Sequence, residues 1–355
     1  MLYLLDNNRV DEPGINLALE EYCLRELEPG HRFLILYGNR TSVVVGRHQN
    51  ILAEADTQWL GKRQIPVLRR ISGGGTVYHD HGNLNIALVQ DHTRRSLAEV
   101  QRVLEPIRQT LARLSVRSEF DGRNNLLIEG CKISGNAQFS DTRRILIHAT
   151  LLFDSDLSQL ARALHAEPIG LHDRAPRSIP SPVTNVCDHL TRPLPLAVFR
   201  ELLLESYGAA YGGMVPRRLE GRHWDAVDRL YRSKYRRWSW NWARAPAFEI
   251  HRRGRIAGGN GEIHLAIREG CLKTVRFAGS LSTEDRGDKL ARALVGARFE
   301  PSALRKRLES LNSQGILPAG CKPKNLTALL WQNRGFPEKT RQIGIARFRA
   351  SNWRL

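Results

Sequence analysis

Short apolar runs alternate with amphipathic stretches over the first two thirds of the chain. Ile15 to Leu27 repeats at helical spacing, with Leu17 and Leu24 on an apolar face and Glu20-Glu21 on an acidic one, and predicts a helix. Phe33–Tyr37 and Ser42–Val45 read as strands broken by the turn Gly38-Asn39-Arg40. Pro66–Arg70 and Thr76–His79 are short strands on either side of a glycine run, and Leu84–Val89 is a nearly continuous apolar strand. Leu97, Val100, Val103, Leu104, Ile107, Leu111 and Leu114 fall on one face of a long helix that Pro106 should bend. Leu126–Ile128, Lys132–Gln138 and Arg144–Phe153 have strand character, and Asp156–Leu164 is helical. Pro168–Pro195 is proline-rich and predicts a loop or crossing segment, followed by helices at Leu196–Tyr211 and Asp225–Ser233.

A boundary falls near Ala245-Pro246. Beyond it Ala247–Ile250, Gly261–Arg268 and Leu272–Ala278 read as strands and Asp285–Val295 as a helix, a small α/β unit of its own. The expected organisation is residues 1–245, residues 246–318 as an accessory domain, and residues 319–355 as a basic tail. The elements of the first part are mixed rather than strictly alternating. The fold class is therefore α/β in the α+β sense, with no doubly wound sheet required.

Composition narrows the picture. At 355 residues, 41% hydrophobic and 25% charged, the chain has the make-up of a globular protein of two domains. Its five cysteines are scattered, with no C-x-x-C pair, which argues against a disulfide framework or zinc ribbon and for a reducing, cytoplasmic setting. No apolar run reaches the length of a membrane span, so no membrane association is expected. Of the net charge of +18, half lies in the last 55 residues, where 11 Lys/Arg face 2 Glu. That tail, with Trp331 and Trp353, could grip phosphates and stack bases, so a nucleic-acid-binding protein is the weaker alternative.

The chemistry concentrates in two stretches. Arg69-Arg70-Ile71-Ser72-Gly73-Gly74-Gly75-Thr76-Val77-Tyr78-His79-Asp80 sets three glycines, which let backbone amides approach negative oxygens, beside two arginines able to neutralise a phosphate or carboxylate. Gly130-Cys131-Lys132-Ile133-Ser134-Gly135-Asn136-Ala137 sets one lysine among small residues on a strand. Successive strand side chains face opposite ways, so Cys131 should not share a site with Lys132, and a thiol nucleophile is the lesser reading. No P-loop, H-E-x-x-H or dinucleotide fingerprint occurs, and His79 and His81 find no further partner at metal-ligand spacing, so no metal site is identified.

Taken together these stretches resemble the lipoate–protein ligase A family. Further matching pieces are Gly82-Asn83-Leu84-Asn85, Gly122-Arg123-Asn124, Lys132 to Gln138 and His148-Ala149-Thr150-Leu151-Leu152, with likeness from Met1 to about Val295. The resemblance implies a mixed-sheet catalytic domain related to biotin ligases with a small C-terminal accessory domain. It implies that lipoate and ATP with Mg²⁺ give lipoyl-AMP, and that the lipoyl group then moves to a lysine of a lipoyl domain. The acceptor would be a 2-oxo acid dehydrogenase subunit, the glycine cleavage H protein, or both. Carried over, Lys132 would meet the carbonyl and phosphate of the adenylate. Arg70, Ser72, Gly73, Gly74, Gly75, Thr76, Val77, Tyr78 and His79 would form the phosphate loop and acyl tunnel. Asn83, Asn125, Ser134, Gly135, Ala137, His148, Ala149 and Thr150 would complete the walls.

Two positions depart from the family: Asn125 stands where Asp is usual, and Pro182 where bacterial members carry Arg. Both bear on ATP activation more than on transfer. The alternative they motivate is a lipoyltransferase that uses preformed lipoyl-AMP or a carrier-bound acyl group. A related variant is a biotin ligase or octanoyl transferase, which differs in the size of its substrate tunnel.

Overall fold

The computed structural model describes residues 1–92, 97–167, 170–256, 259–280, 286–317 and 320–331. Its first part runs β1 (Leu2–Leu5), α1 (Pro13–Glu26), β2 (Arg32–Tyr37), β3 (Ser42–Val45), α2 (Ile51–Glu54), α3 (Thr57–Lys62), β4 (Val67–Arg69), β5 (Val77–His79), β6 (Asn83–Asp91), α4 (Leu97–Arg113), β7 (Glu119–Phe120), β8 (Leu126–Ile128), β9 (Cys131–Ser140), β10 (Arg144–Leu152) and α5 (Leu157–Ala163). It continues with β11 (Leu171–Asp173), α6 (Leu196–Ala210), β12 (Met214–Arg217), α7 (Gly221–Leu230), α8 (Trp238–Asn241), β13 (Phe248–Ile256), β14 (Gly259–Arg268), β15 (Cys271–Gly279), α9 (Arg286–Leu294), α10 (Pro301–Ser313) and α11 (Pro323–Trp331).

The large sheet has the order β12-β1-β2-β6-β10-β9-β8-β7. β1 pairs parallel with β12 and β2, and the remaining neighbours are antiparallel, so the sheet is mixed. The near-continuous apolar runs of β2 and β6 have a simple cause: both faces are covered. Leu34, Leu36, Leu84, Ile86 and Leu88 meet α4 and α6 through Val103, Ile107, Phe199 and Leu203. The alternate residues Phe33, Ile35, Ala87 and Val89 meet α1 and α7 through Leu19, Cys23 and Val227. α4 continues through Pro106 as one element. A separate three-stranded sheet, β4-β3-β5, lies beside the large one.

Residues at the C-terminal end build a second sheet, β11-β13-β14-β15. One face packs Ile250, Ile263, Leu265 and Ile267 on Leu290, Leu304, Leu308, Leu326 and Leu330 of α9–α11. Two sequence expectations change here. The proline-rich segment contributes β11, which pairs Leu171–Asp173 with Phe248–Ile250. Residues 323–331, read as the start of a tail, are α11, whose Leu326, Leu330 and Trp331 are buried in this core. The expected basic tail beyond Trp331 lies outside the described residues. No helix among the described residues is long and apolar enough to cross a membrane.

Candidate active site

A cavity of 350 Å³ opens where β9 and β10 of the large sheet meet the β4–β5 loop. Its wall contains Arg70, Gly74, Gly75, Thr76, Val77 and His79 from the glycine stretch, with Lys132, Gly135 and Ala137 from β9 and His148, Ala149 and Thr150 from β10. The two stretches that sequence singled out thus share one pocket. Antiparallel register explains the meeting of the strands, because His148 pairs with Ala137 and Thr150 with Gly135.

The β4–β5 loop is held from within. Gly74 has φ +83, in the left-handed region where glycine is favoured. Arg70 is buried and donates to Ser72 Oγ (2.9 Å), Val44 O (3.2 Å), Gly73 O (2.6 Å) and Gly75 O (2.7 Å). Arg69 donates to the Gly46, Arg47 and Gln49 carbonyls at 2.8–3.1 Å. Burial pushes both guanidiniums down to about 10, which leaves them charged at neutral pH. Arg70 therefore shapes the loop, and Arg69 ties β4 to the 46–49 turn and to Asn241, instead of either standing free for an anion.

Ser72 Oγ lies 2.7 Å from His148 Nε2, and His148 Nδ1 lies 2.9 Å from Glu20 Oε2. The Glu20 carboxylate only accepts, so His148 donates from Nδ1, while Ser72 Oγ accepts from Arg70 Nε and shares a hydrogen bond with His148 Nε2. Tyr37 donates to the other Glu20 oxygen at 2.7 Å. Glu20 and Glu21, read as an acidic surface, are both buried: Glu20 faces the cavity, and Glu21 accepts from Lys234 and Tyr235. A second chain fixes His79. Asn16 donates to Asn39 Oδ1 (2.9 Å), which turns the Asn39 amide nitrogen to His79 Nδ1 (2.9 Å). Burial, with Arg70 and His148 nearby, pushes His79 down to about 3, so it is neutral.

Lys132 is arranged differently. Burial is the first cause that lowers its pKa, Asp121 opposes the shift, and Arg123 and Arg70 add to it. A Cβ on Gly135 would sit 2.8 Å from Lys132 Nζ, so the missing side chain makes room for the ammonium. No carboxylate lies within ion-pair distance of Lys132 among the described residues. Its backbone is fixed by the proline-rich segment: Lys132 N donates to Pro182 O (2.8 Å), and Thr184 N to Lys132 O (3.2 Å). Asn125 donates to Asp121 Oδ2 at 2.7 Å. Asp121 also accepts from the Arg123 and Asn125 amides, and these bonds hold its carboxyl below the usual range against the effect of its burial.

Of the expected site residues, Asn125 also lines the cavity. Ser72, Gly73, Tyr78, Asn83 and Ser134 do not. Ser72 stands behind His148, and the Gly73 carbonyl accepts from Arg70. Tyr78 is buried among Val43 and Ile51, and burial pushes its hydroxyl up to about 12. Asn83 donates to Asn85 Oδ1, and Ser134 is buried opposite Leu151. Cys131 is outside the wall. Residue order missed Glu20, Tyr37, Val44, Arg177, Ser178 and Ile179, which arrive from distant segments; Leu17, in a stretch Asn16-Leu17-Ala18 that also resembles the family, and Asn85, Arg123 and Asn136 lay within or beside the matching stretches. Ser178 closes over the glycines by accepting from Thr76 N (2.8 Å) and Gln49 Nε2 (3.1 Å) and by donating to Glu54.

The wall therefore combines one unpaired ammonium, glycine backbone and an apolar patch of Leu17, Val44 and Val77. That set suits a ligand with an anionic centre and an apolar arm. The lipoyl protein ligase A/B catalytic-domain family matches residues 12–208, and the bacterial lipoate protein ligase C-terminus matches residues 245–330. The chain is 33% identical to lipoate–protein ligase LplJ of Bacillus subtilis, over 88% of this chain and 95% of that one. The archaeal bipartite lipoate protein ligase of Thermoplasma acidophilum, studied with its E2 lipoyl domain, shares the fold at TM-score 0.58 and 23% identity, over 67% of this chain and 95% of that one. A lipoate–protein ligase A bound with ATP does so at TM-score 0.57 and 23% identity, over 68% and 97%. The chain belongs to the lipoate–protein ligase family.

Proposed function

We propose that this chain joins lipoate to ATP, giving lipoyl-AMP and pyrophosphate, and then passes the lipoyl group to a lysine of a lipoyl domain. The observation that carries the reading is the convergence of the triple-glycine loop and Lys132 on one cavity. In the first step a lipoate carboxylate oxygen attacks the α-phosphorus and pyrophosphate leaves. In the second the acceptor amine, as the free base, attacks the anhydride carbonyl and AMP leaves with the bonding pair. No protein nucleophile is needed, which agrees with Cys131 lying outside the wall.

Lys132 is assigned to the phosphate and carbonyl oxygens, where negative charge grows in both steps. The Gly74–Thr76 backbone takes the phosphates, with Arg70 keeping the loop in shape. Leu17, Val44 and Val77 receive the acyl arm, with Ala137, Ala149 and Thr150 completing the wall. Asn125 spends its amide nitrogen on Asp121, which leaves its Oδ1 as a neutral oxygen ligand beside a carboxylate. That pair fits Mg²⁺, whose preference is for oxygen donors. Bound there with the nucleotide, Mg²⁺ would offset phosphate charge. Asp121 thus restores a carboxylate to the neighbourhood of Asn125, which favours retained ATP activation over transfer alone. Pro182 supplies a carbonyl that seats the Lys132 backbone.

The acceptors are lipoyl domains of 2-oxo acid dehydrogenase subunits, the glycine cleavage H protein, or both; the E2 lipoyl domain of the archaeal relative supports the first. Five free cysteines suit a reducing cytoplasm. Intact-mass analysis of an apo-lipoyl domain incubated with the protein, ATP, Mg²⁺ and lipoate should show one lipoyl increment. Modification from synthetic lipoyl-AMP but not from ATP plus lipoate would reduce the activity to transfer alone. No modification from either source would refute the reading.

A further inference from the structure

The accessory sheet carries a cluster remote from the cavity. In β13 and β14, His251 pairs directly with His264, and Glu262 lies two residues before His264 on the same face. That face is the outer one, since the alternate residues Ile250, Ile263 and Leu265 fill the accessory core. The donor atoms of the three side chains all lie within 4.8 Å of one another. Both histidine Nε2 atoms are 3.4 Å from the same oxygen, Glu262 Oε2. The imidazoles stack at 3.9 Å between centroids, with 20° between planes.

The distances are the informative part. A charge-assisted hydrogen bond from an imidazole to a carboxylate would settle at about 2.8 Å. Two ligands of a tetrahedral ion with bonds of about 2.0–2.1 Å stand about 3.3 Å apart, the edge of the tetrahedron. Two 3.4 Å separations to one oxygen lie within hydrogen-bond reach and also match that edge, so one ion fits among the three donors with small side-chain movements. The other Glu262 oxygen is held by Arg253 Nε at 3.0 Å, the kind of outer partner that orients a ligating carboxylate. Arg276, in register with His264 on β15, is a second cation on this face beside Arg253.

We propose that His251, Glu262 and His264 form a binding site for one divalent cation of the zinc class, with solvent as the fourth ligand. The ligands come from both strands, so the ion would staple β13 to β14 and stabilise the accessory sheet only when that sheet is folded. None of the three residues lines the catalytic cavity, so the site stands independently of the proposed activity.

The test uses the full chain. Calorimetric titration with ZnCl₂ near pH 7.5 should find one more equivalent in the unsubstituted protein than in His264→Ala. The affinity should fall at least about tenfold in Glu262→Gln. Cobalt(II) should give the visible absorption of a four-coordinate nitrogen–oxygen site, lost in His251→Ala. Lipoyl transfer at the unsubstituted rate serves as the folding control for all three variants. Equal stoichiometry and affinity in the unsubstituted protein and His264→Ala would overturn the proposal. A cobalt–thiolate charge-transfer band with no nitrogen–oxygen component, which would trace the metal to cysteine, would overturn it as well.

Discussion

The β4–β5 loop and strand β9 each bring a cation to the same cavity and use it in opposite ways. Arg70 gives its hydrogen bonds to Ser72 and the carbonyls of Val44, Gly73 and Gly75. Lys132 has room beside Gly135, no paired carboxylate among the described residues, and a burial cost still unmet. A guanidinium has five donors in a fixed fork and can organise a loop; an ammonium is a compact point charge suited to a changing partner. The contrast separates a cation that builds the site from one that waits for a ligand.

The largest effect should come from removing the waiting charge. Lys132→Ala is expected to lower kcat/KM for lipoyl transfer by about 10²–10³-fold, the usual worth of a donor aimed at developing charge. Its urea midpoint should stay close to that of the unsubstituted protein, since a buried cation without a partner adds little stability. Near-normal turnover would place the reaction's charge stabilisation elsewhere.

Arg70→Lys should show the reverse pattern. Lysine cannot span four acceptors, so stability should fall by about 2 kcal/mol in equilibrium unfolding. Activity should follow only as far as the loop loses its shape. A stable but inactive variant would mean that Arg70 contacts the ligand directly.

His79 tests the same built side through pH. Its folded pKa of about 3 lies below the ordinary 6.5. Below pH 6.5 the unfolded chain takes up a proton that the native state refuses, so stability falls with pH in that window. The loss from this residue between pH 6.5 and 5.5 should be about 1 kcal/mol. His79→Gln should remove that increment from the slope; an unchanged slope would show that His79 is not held neutral.

The smallest effect concerns the setting of the waiting charge. Asp121 raises the Lys132 pKa against burial. Asp121→Asn should therefore let Lys132 lose its proton at a lower pH. With preformed lipoyl-AMP as donor, which leaves out the Mg²⁺-assisted ATP step, the alkaline limb of the kcat/KM profile should move toward neutrality, with a loss that grows as pH rises. A limb that stays in place would detach Asp121 from Lys132.

Much of this was legible locally. The double-sided burial of β2 and β6 appears as unbroken apolar runs, and the glycine loop and the lone lysine were visible as stretches. Errors arose where a residue's environment comes from elsewhere in the chain. Glu20 and Glu21 look like a solvated helix face, yet they are buried by Tyr37, His148, Lys234 and Tyr235. Ser178 and Arg177 come from a segment whose prolines suggested only a loop. α11 was hidden because its basic surroundings masked the apolar spacing of Leu326 and Leu330.

Periodicity and glycine placement are properties of neighbouring residues, so residue order alone specified the long apolar strands, the helix of Ile15 to Leu27 and the family's signature stretches. Which side chains face one another depends on strand register and on loops that fold back across the sheet. Only the folded chain could therefore show that Arg70 is spent on the loop while Lys132 is free, and that His251 and His264 lie side by side on the accessory sheet.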